Sequence, residues 1–178
     1  MNFDYTMSKD HSDILASLIG KRLISTLSIL DSGDSAGEYV LRFEDEEIVI
    51  NANEEEISVP WLADTRVVEV LKRSVGAPDG NLLYPRKVDE NIIGISRIIT
   101  TMTHKDKDAR KSDTAKYDRG LIFHFATRDL VIDRGEESWS EIWRAIWTTR
   151  GTAKFGASTP DPEYPEFSMT SAVQDITA

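Results

Sequence analysis

Tyr39-Val40-Leu41-Arg42-Phe43-Glu44-Asp45-Glu46-Glu47-Ile48-Val49-Ile50 and, 82 positions later, Leu121-Ile122-Phe123-His124-Phe125-Ala126-Thr127-Arg128-Asp129-Leu130-Val131-Ile132 are two versions of one pattern. Each alternates between faces, crosses a short turn and resumes the alternation, which is how a β-hairpin with one buried face reads. Extended to Trp61 and Trp143, the two stretches are identical at seven of 23 positions: Phe43, Val49, Ile50, Glu54, Glu55, Ser58 and Trp61 meet Phe125, Val131, Ile132, Glu136, Glu137, Ser140 and Trp143. Ordinary composition gives about one or two such matches. The substituted pairs keep their character, as in Leu41 with Phe123, Ile48 with Leu130 and Glu47 with Asp129.

Working upstream, a second match runs at an offset of 74, with Leu18-Ile19-Gly20 against Ile92-Ile93-Gly94 and Thr26 against Thr100. The change of offset implies an internal duplication with an enlarged, Lys- and Asp-rich loop at 103–117 opposite a shorter one at 31–38. Downstream of each hairpin the spacing predicts a helix. Pro60 suits a first helical turn before Trp61, Val67, Val68, Leu71 and Val75. Ser138 and Glu141 form a capping box ahead of Trp139, Ile142, Trp143, Ile146 and Trp147 at helical spacing. Short helical turns are expected at 12–19 and 89–93, each followed by a glycine.

The fold expected is therefore α+β: two tandem β-β-β-α repeats packed as one pseudo-symmetric domain, with antiparallel sheets covered by helices. Its divisions are an acidic first half at 1–75, a linker at 76–88, a second half at 89–150 and an extended or disordered tail at 151–178. A unit of about 80 residues buries little by itself, so the halves are expected to share one core.

The 178 residues include 21 Lys and Arg against 31 Asp and Glu, for a net charge of −10. That balance argues against a general phosphate-backbone binder, which needs surplus cations. Residues 1–85 carry −9, residues 86–150 carry +2 and the remainder −3. Cysteine is absent, which excludes disulfides, thiolate nucleophiles and cysteine-ligated metals. The N-terminal residues lack the pattern of a signal peptide, and no stretch reads as a membrane span, so a cytoplasmic protein is expected.

Few motifs carry chemistry. Gly33-Asp34-Ser35-Ala36-Gly37 fits G-x-S-x-G and resembles the nucleophile elbow of esterases. The elbow needs a strand before it and a helix after it, whereas a strand follows here, so a polar hairpin loop accounts for the residues. The three histidines, His11, His104 and His124, have no ligand spacing, and no nucleotide-binding glycine loop is present. No metal and no cofactor is expected. The Trp stripe reads as core.

The most unusual feature is acidic. Between Glu44 and Glu56 lie seven carboxylates, Glu44, Asp45, Glu46, Glu47, Glu54, Glu55 and Glu56, with no Lys or Arg among them. Carboxylates in such a run would pair with cations of a basic partner and speed its approach. The first expectation is accordingly a small, acidic, non-catalytic inhibitor of a basic protein, a nuclease or toxin. Its profile is similar to that of immunity proteins and of phage antagonists of host defence, although no family motif is present. The alternative is an enzyme or small-ligand binder with a cleft between the repeats, where Arg42, His124, Glu136 and Glu137 would meet. A self-associating structural component is a third reading.

Overall fold

The computed structural model describes residues 1–29, 38–54, 66–75, 82–105, 112–134, 144–155 and 166–177. Among them, every regular element but one is a strand. The order is β1 (Asn2–Tyr5), α1 (Lys9–Ala16), β2 (Arg22–Ile29), β3 (Glu38–Arg42), β4 (Glu46–Glu54), β5 (Arg66–Ser74), β6 (Leu82–Asn91), β7 (Gly94–Lys105), β8 (Ser112–His124), β9 (Arg128–Asp133), β10 (Arg144–Thr149) and β11 (Phe167–Ile176).

The expected α+β repeats are thus corrected to a protein built on two antiparallel sheets. Arg66–Ser74, expected in the first helix, is β5, paired along its length with β4. Its valines are β-branched and lose rotamer freedom in a helix, and alternate residues Val68 and Val70 are fully buried. Arg144–Thr149, the end of the second expected helix, is β10, paired with β9. There Trp147 packs against the core while Ile146 is 53% exposed, an alternation that a helical stripe would not produce. Trp139, Ile142 and Trp143 lie outside the described residues.

Other boundaries shift as well. The turn expected at 89–93 is the end of β6 and the crossing into β7, with Asp89 at φ 62. Residues 82–88 of the expected linker belong to β6, which pairs with β2. In the segment expected as a loop at 103–117, β7 runs to Lys105 and β8 begins at Ser112. The region read as a tail contains β11, which pairs with β7 over ten residues. The expected N-terminal helical turn is α1, capped by Ser8, and the chain leaves it through Gly20 at φ 90, a conformation that glycine adopts without strain.

The two sheets have the same plan. One has the order β5-β4-β3-β2-β6, the other β10-β9-β8-β7-β11, with β1 alongside the outer part of β8. Each is a four-strand meander whose fifth strand returns beside the first. The hairpins also agree residue by residue: Leu41 faces Ile48 and Arg42 faces Glu47, as Phe123 faces Leu130 and His124 faces Asp129. Both turns close alike, with Phe43 N–H donating to the Glu46 carbonyl and Phe125 N–H to that of Arg128, each at 2.9 Å. Upstream the register sets Ser25 opposite Arg42 and Gly94 opposite His124, an offset of 69. The match at 74, which aligned Gly20 with Gly94, is therefore not a structural one.

One core joins the sheets. Tyr39, Leu41, Phe43, Ile48 and Ile50 from the first and Ile95, Leu121, Phe123, Phe125 and Leu130 from the second lie in a single buried cluster, so these faces look inward. Leu15 and Leu18, fully buried, bring α1 into the same cluster. Helix α1 packs on β5 and β11, edge strands of different sheets, and so fills that side of the intersheet space. On the opposite side, edge strands β6 and β10 have no such helix between them among the described residues, and an open cavity of about 430 Å³ lies there. No helix among the described residues is long and apolar enough to cross a membrane.

Candidate functional site

The acidic run divides in two. Glu46 and Glu47 are buried on opposite faces of β4, Glu46 on the side of Ile48 and Ile50 and Glu47 on the outer side beneath Arg42 and Arg73. Glu46 pairs with Lys21 and Lys72, and hydrogen bonds from these two lysines hold its carboxyl below the usual range. Glu47 accepts from Arg42 Nε at 2.8 Å and from Arg73 Nε at 2.9 Å. These two carboxylates are neutralised within the chain. Glu44 and Asp45, at the tip of the turn, are exposed and make no ion pair among the described residues. They border a depression of about 470 Å³ together with Lys21, Arg22, Lys87 and Asp89. Glu54 ends β4, while Glu55 and Glu56 lie outside the described residues.

Of the residues expected around a cleft between the repeats, Arg42 and His124 are described, and they do not face one another. Both alternate with inward-facing residues, so they project from the outer faces of different sheets. Glu136 and Glu137 lie outside the described residues, as does Gly33-Asp34-Ser35-Ala36-Gly37. His11 lies in the first turn of α1, and His104 stacks on Phe167 at 4.8 Å between ring centroids. No group of three metal-ligating side chains occurs among the described residues.

The structure instead gives His124 partners that sequence spacing did not suggest. Its Nδ1 lies 2.8 Å from Asp129 Oδ1 and its Nε2 lies 2.8 Å from Ser96 Oγ. Ser, His and Asp in this order form the array of a nucleophilic relay. Two observations oppose that role. Ser96 is 1% exposed, and its hydroxyl donates to Asp175 Oδ1 at 2.7 Å, so its proton is not offered to the ring. The two ring nitrogens thus bridge Ser96 and Asp129. His124 with Asp129 occupies the register position of Arg42 with Glu47. The row Asp175, Ser96, His124, Asp129 is a polar stitch across four strands, and Gly151 N–H closes it by donating to Asp129 Oδ2 at 2.7 Å.

The cavity between β6 and β10 is lined by Thr26, Ser28, Tyr39, Arg86, Lys87 and Trp147, among others. Trp147 packs on Phe125 at 5.5 Å between centroids and carries two guanidinium groups, Arg128 at 4.1 Å and Arg86 at 5.1 Å from the ring centroid. Arg128 is paired with Glu90. Exposed Arg86 makes no ion pair among the described residues. Tyr39 is buried behind it, and that burial pushes its hydroxyl pKa up. Sequence reading missed Arg86 because a lone arginine beside Pro85 has no motif. It placed Trp147 in a helical core stripe.

Fold and sites together define a two-sheet β protein with paired hairpins and no exposed catalytic array among the described residues. Comparison with family models, with curated proteins and with solved structures found no match, so the reading rests on the geometry of this chain.

Proposed function

We propose that the protein is a non-catalytic binding protein of the cytoplasm that engages a basic protein partner, such as a nuclease or toxin, through the acidic tip of the β3–β4 turn. One observation carries this reading. The β8–β9 turn has the same closing hydrogen bond and register with Ala126 and Thr127 where the first has Glu44 and Asp45. The turn does not need carboxylates in order to form, so their presence in one copy asks for another reason. Exposed and outside any ion pair within the described chain, although Asp45 also acts on the Lys72 ammonium, they are available to lysine and arginine side chains that would otherwise hold phosphate. The depression of about 470 Å³ beside them gives such a side chain room to enter.

The test compares the wild-type protein with the double variant Glu44→Ala, Asp45→Thr, which rewrites the tip as its counterpart. Removing two exposed, unpaired charges should leave stability within about 0.5 kcal/mol in urea melts. A partner recovered with the wild type from the native host at low salt should be lost from the variant and released as salt rises. Equal recovery by the variant would sink the proposal.

A further inference from the structure

We infer that the open side of the intersheet space, between β6 and β10, is a binding site for a small phosphomonoester, with Arg86 as its principal anchor. Two guanidinium groups lie over Trp147, and the one at Arg128 has Glu90 as its partner, while the one at Arg86 has no carboxylate among the described residues. A guanidinium resting on an aromatic face is oriented and partly stripped of water, and its N–H groups suit a planar pair of phosphate oxygens.

The surroundings fit a dianionic group. Lys87 also borders the cavity, but it alternates with inward-facing Arg86 and Val88, and its ammonium, 81% exposed and 3.9 Å from Asp89, adds positive charge from the rim only. Ser28 lies on the same wall, next to Thr26, whose hydroxyl is engaged with Tyr39. A guanidinium fork with a hydroxyl beside it and a second cation at the rim matches a phosphate monoester, which carries close to two charges and three acceptor oxygens. The volume, about 430 Å³, falls within the usual range for small-ligand sites. Pro85, Ala145 and Trp147 supply an apolar wall for the organic part of the ligand. Symmetry explains why the space is there. The corresponding side, between β5 and β11, is filled by Leu15 and Leu18 at α1, and the chain has only one such helix among the described residues.

The full-length protein would be titrated with phenyl phosphate and, separately, with benzoate. The Trp147 indole N–H signal is followed by NMR after assignment with Trp147→Phe. Phenyl phosphate should shift that signal saturably, and benzoate, with one charge and two oxygens, should bind at least about tenfold more weakly. Arg86→Ala should weaken phenyl phosphate about tenfold or more, since a charged hydrogen-bond partner is lost. Arg86→Lys, which keeps the charge without the planar fork, should fall between. Thermal melts of both variants should match the wild type, because Arg86 is exposed. Absence of a saturable shift up to about 10 mM, an unchanged affinity in Arg86→Ala, or equal binding of benzoate would each overturn the assignment. Because the Glu44–Asp45 tip is intact in these variants, partner binding through that tip should persist in all of them.

Discussion

The β3–β4 and β8–β9 hairpins share a register and a turn, yet they treat the same position in different ways. In the first, Glu47 lies between Arg42 and Arg73, two permanent cations. In the second, a histidine stands in the place of Arg42, and Thr148 stands opposite Asp129 where Arg73 stands opposite Glu47. The backbone plan therefore asks only for a nitrogen-bearing side chain hydrogen-bonded to a carboxylate on the outer face. A second difference concerns Gly120, which takes the place of Glu38. A Cβ there would lie 2.2 Å from the Ile132 carbonyl oxygen, because β8 shifts register beside Gly120 and brings β9 close. Longer β7 and β8 strands, and the β1 strand added to them, come with that shift.

The largest expected effect tests the first pair. Glu47 has no exposed surface, and its removal strands two partly buried guanidinium groups, so Glu47→Ala should cost about 3 kcal/mol in urea-induced unfolding. A loss below about 1 kcal/mol would show that the arginines find water instead. Next in size is the stitch in the other sheet. Ser96→Ala removes the hydroxyl's hydrogen bonds to His124 and Asp175 and should cost about 1–2 kcal/mol. It should also raise hydrogen exchange in β11 while leaving β3 and β4 unchanged, since Asp175 ties β11 to β7 through this hydroxyl. Uniform acceleration in both sheets would break the proposed division.

The smallest effects are in the pH dependence, where the halves should oppose each other. Hydrogen bonds from Lys21 and Lys72 lower the pKa of Glu46 below its ordinary 4.5, so its contribution is complete above that value and lost as pH falls through the folded value. Burial raises the pKa of Asp118 above its ordinary 3.8, although Met7 N–H donates to it at 2.5 Å and Arg97 and Arg134 oppose the rise. The unfolded chain then releases the Asp118 proton first, and stability falls as pH climbs from 3.8 towards the folded value. Glu46→Gln should flatten the acid limb of a stability–pH curve, and Asp118→Asn should remove the loss above it. The same slope in both variants would refute the assignment.

Most of the hairpin architecture was legible. Period-2 alternation in 39–50 and 121–132 places Leu41, Phe43, Ile48 and Ile50, and their counterparts, on one face whatever else the chain does, because successive side chains in a strand must point to opposite sides. The charge contrast between Glu44-Asp45 and Ala126-Thr127 was visible for the same reason. The segments after the hairpins were not legible. Val67, Val68, Leu71 and Val75 satisfy helical spacing, and so do Ile146 and Trp147 with the residues before them. Pairing with β4 and β9 decides the matter by supplying hydrogen-bond partners and an inner face that a lone helix would lack. The strand at 167–176 had no apolar signature, because an edge strand is held by ladder bonds to β7 and by Asp175 more than by burial.

By itself, then, the sequence determined the hairpins, the faces of their strands and the uneven charge of the two halves, all local consequences of alternation and composition. Tertiary structure decided the rest: that Glu46 and Glu47 are neutralised while Glu44 and Asp45 are free, that His124 stands beside Ser96 and Asp129, and that Arg86 meets Trp147 across an unfilled gap. Those facts depend on which elements become neighbours, and residues as far apart in sequence as Ser96 and Asp175, or Met7 and Asp118, touch only once the elements that carry them have met.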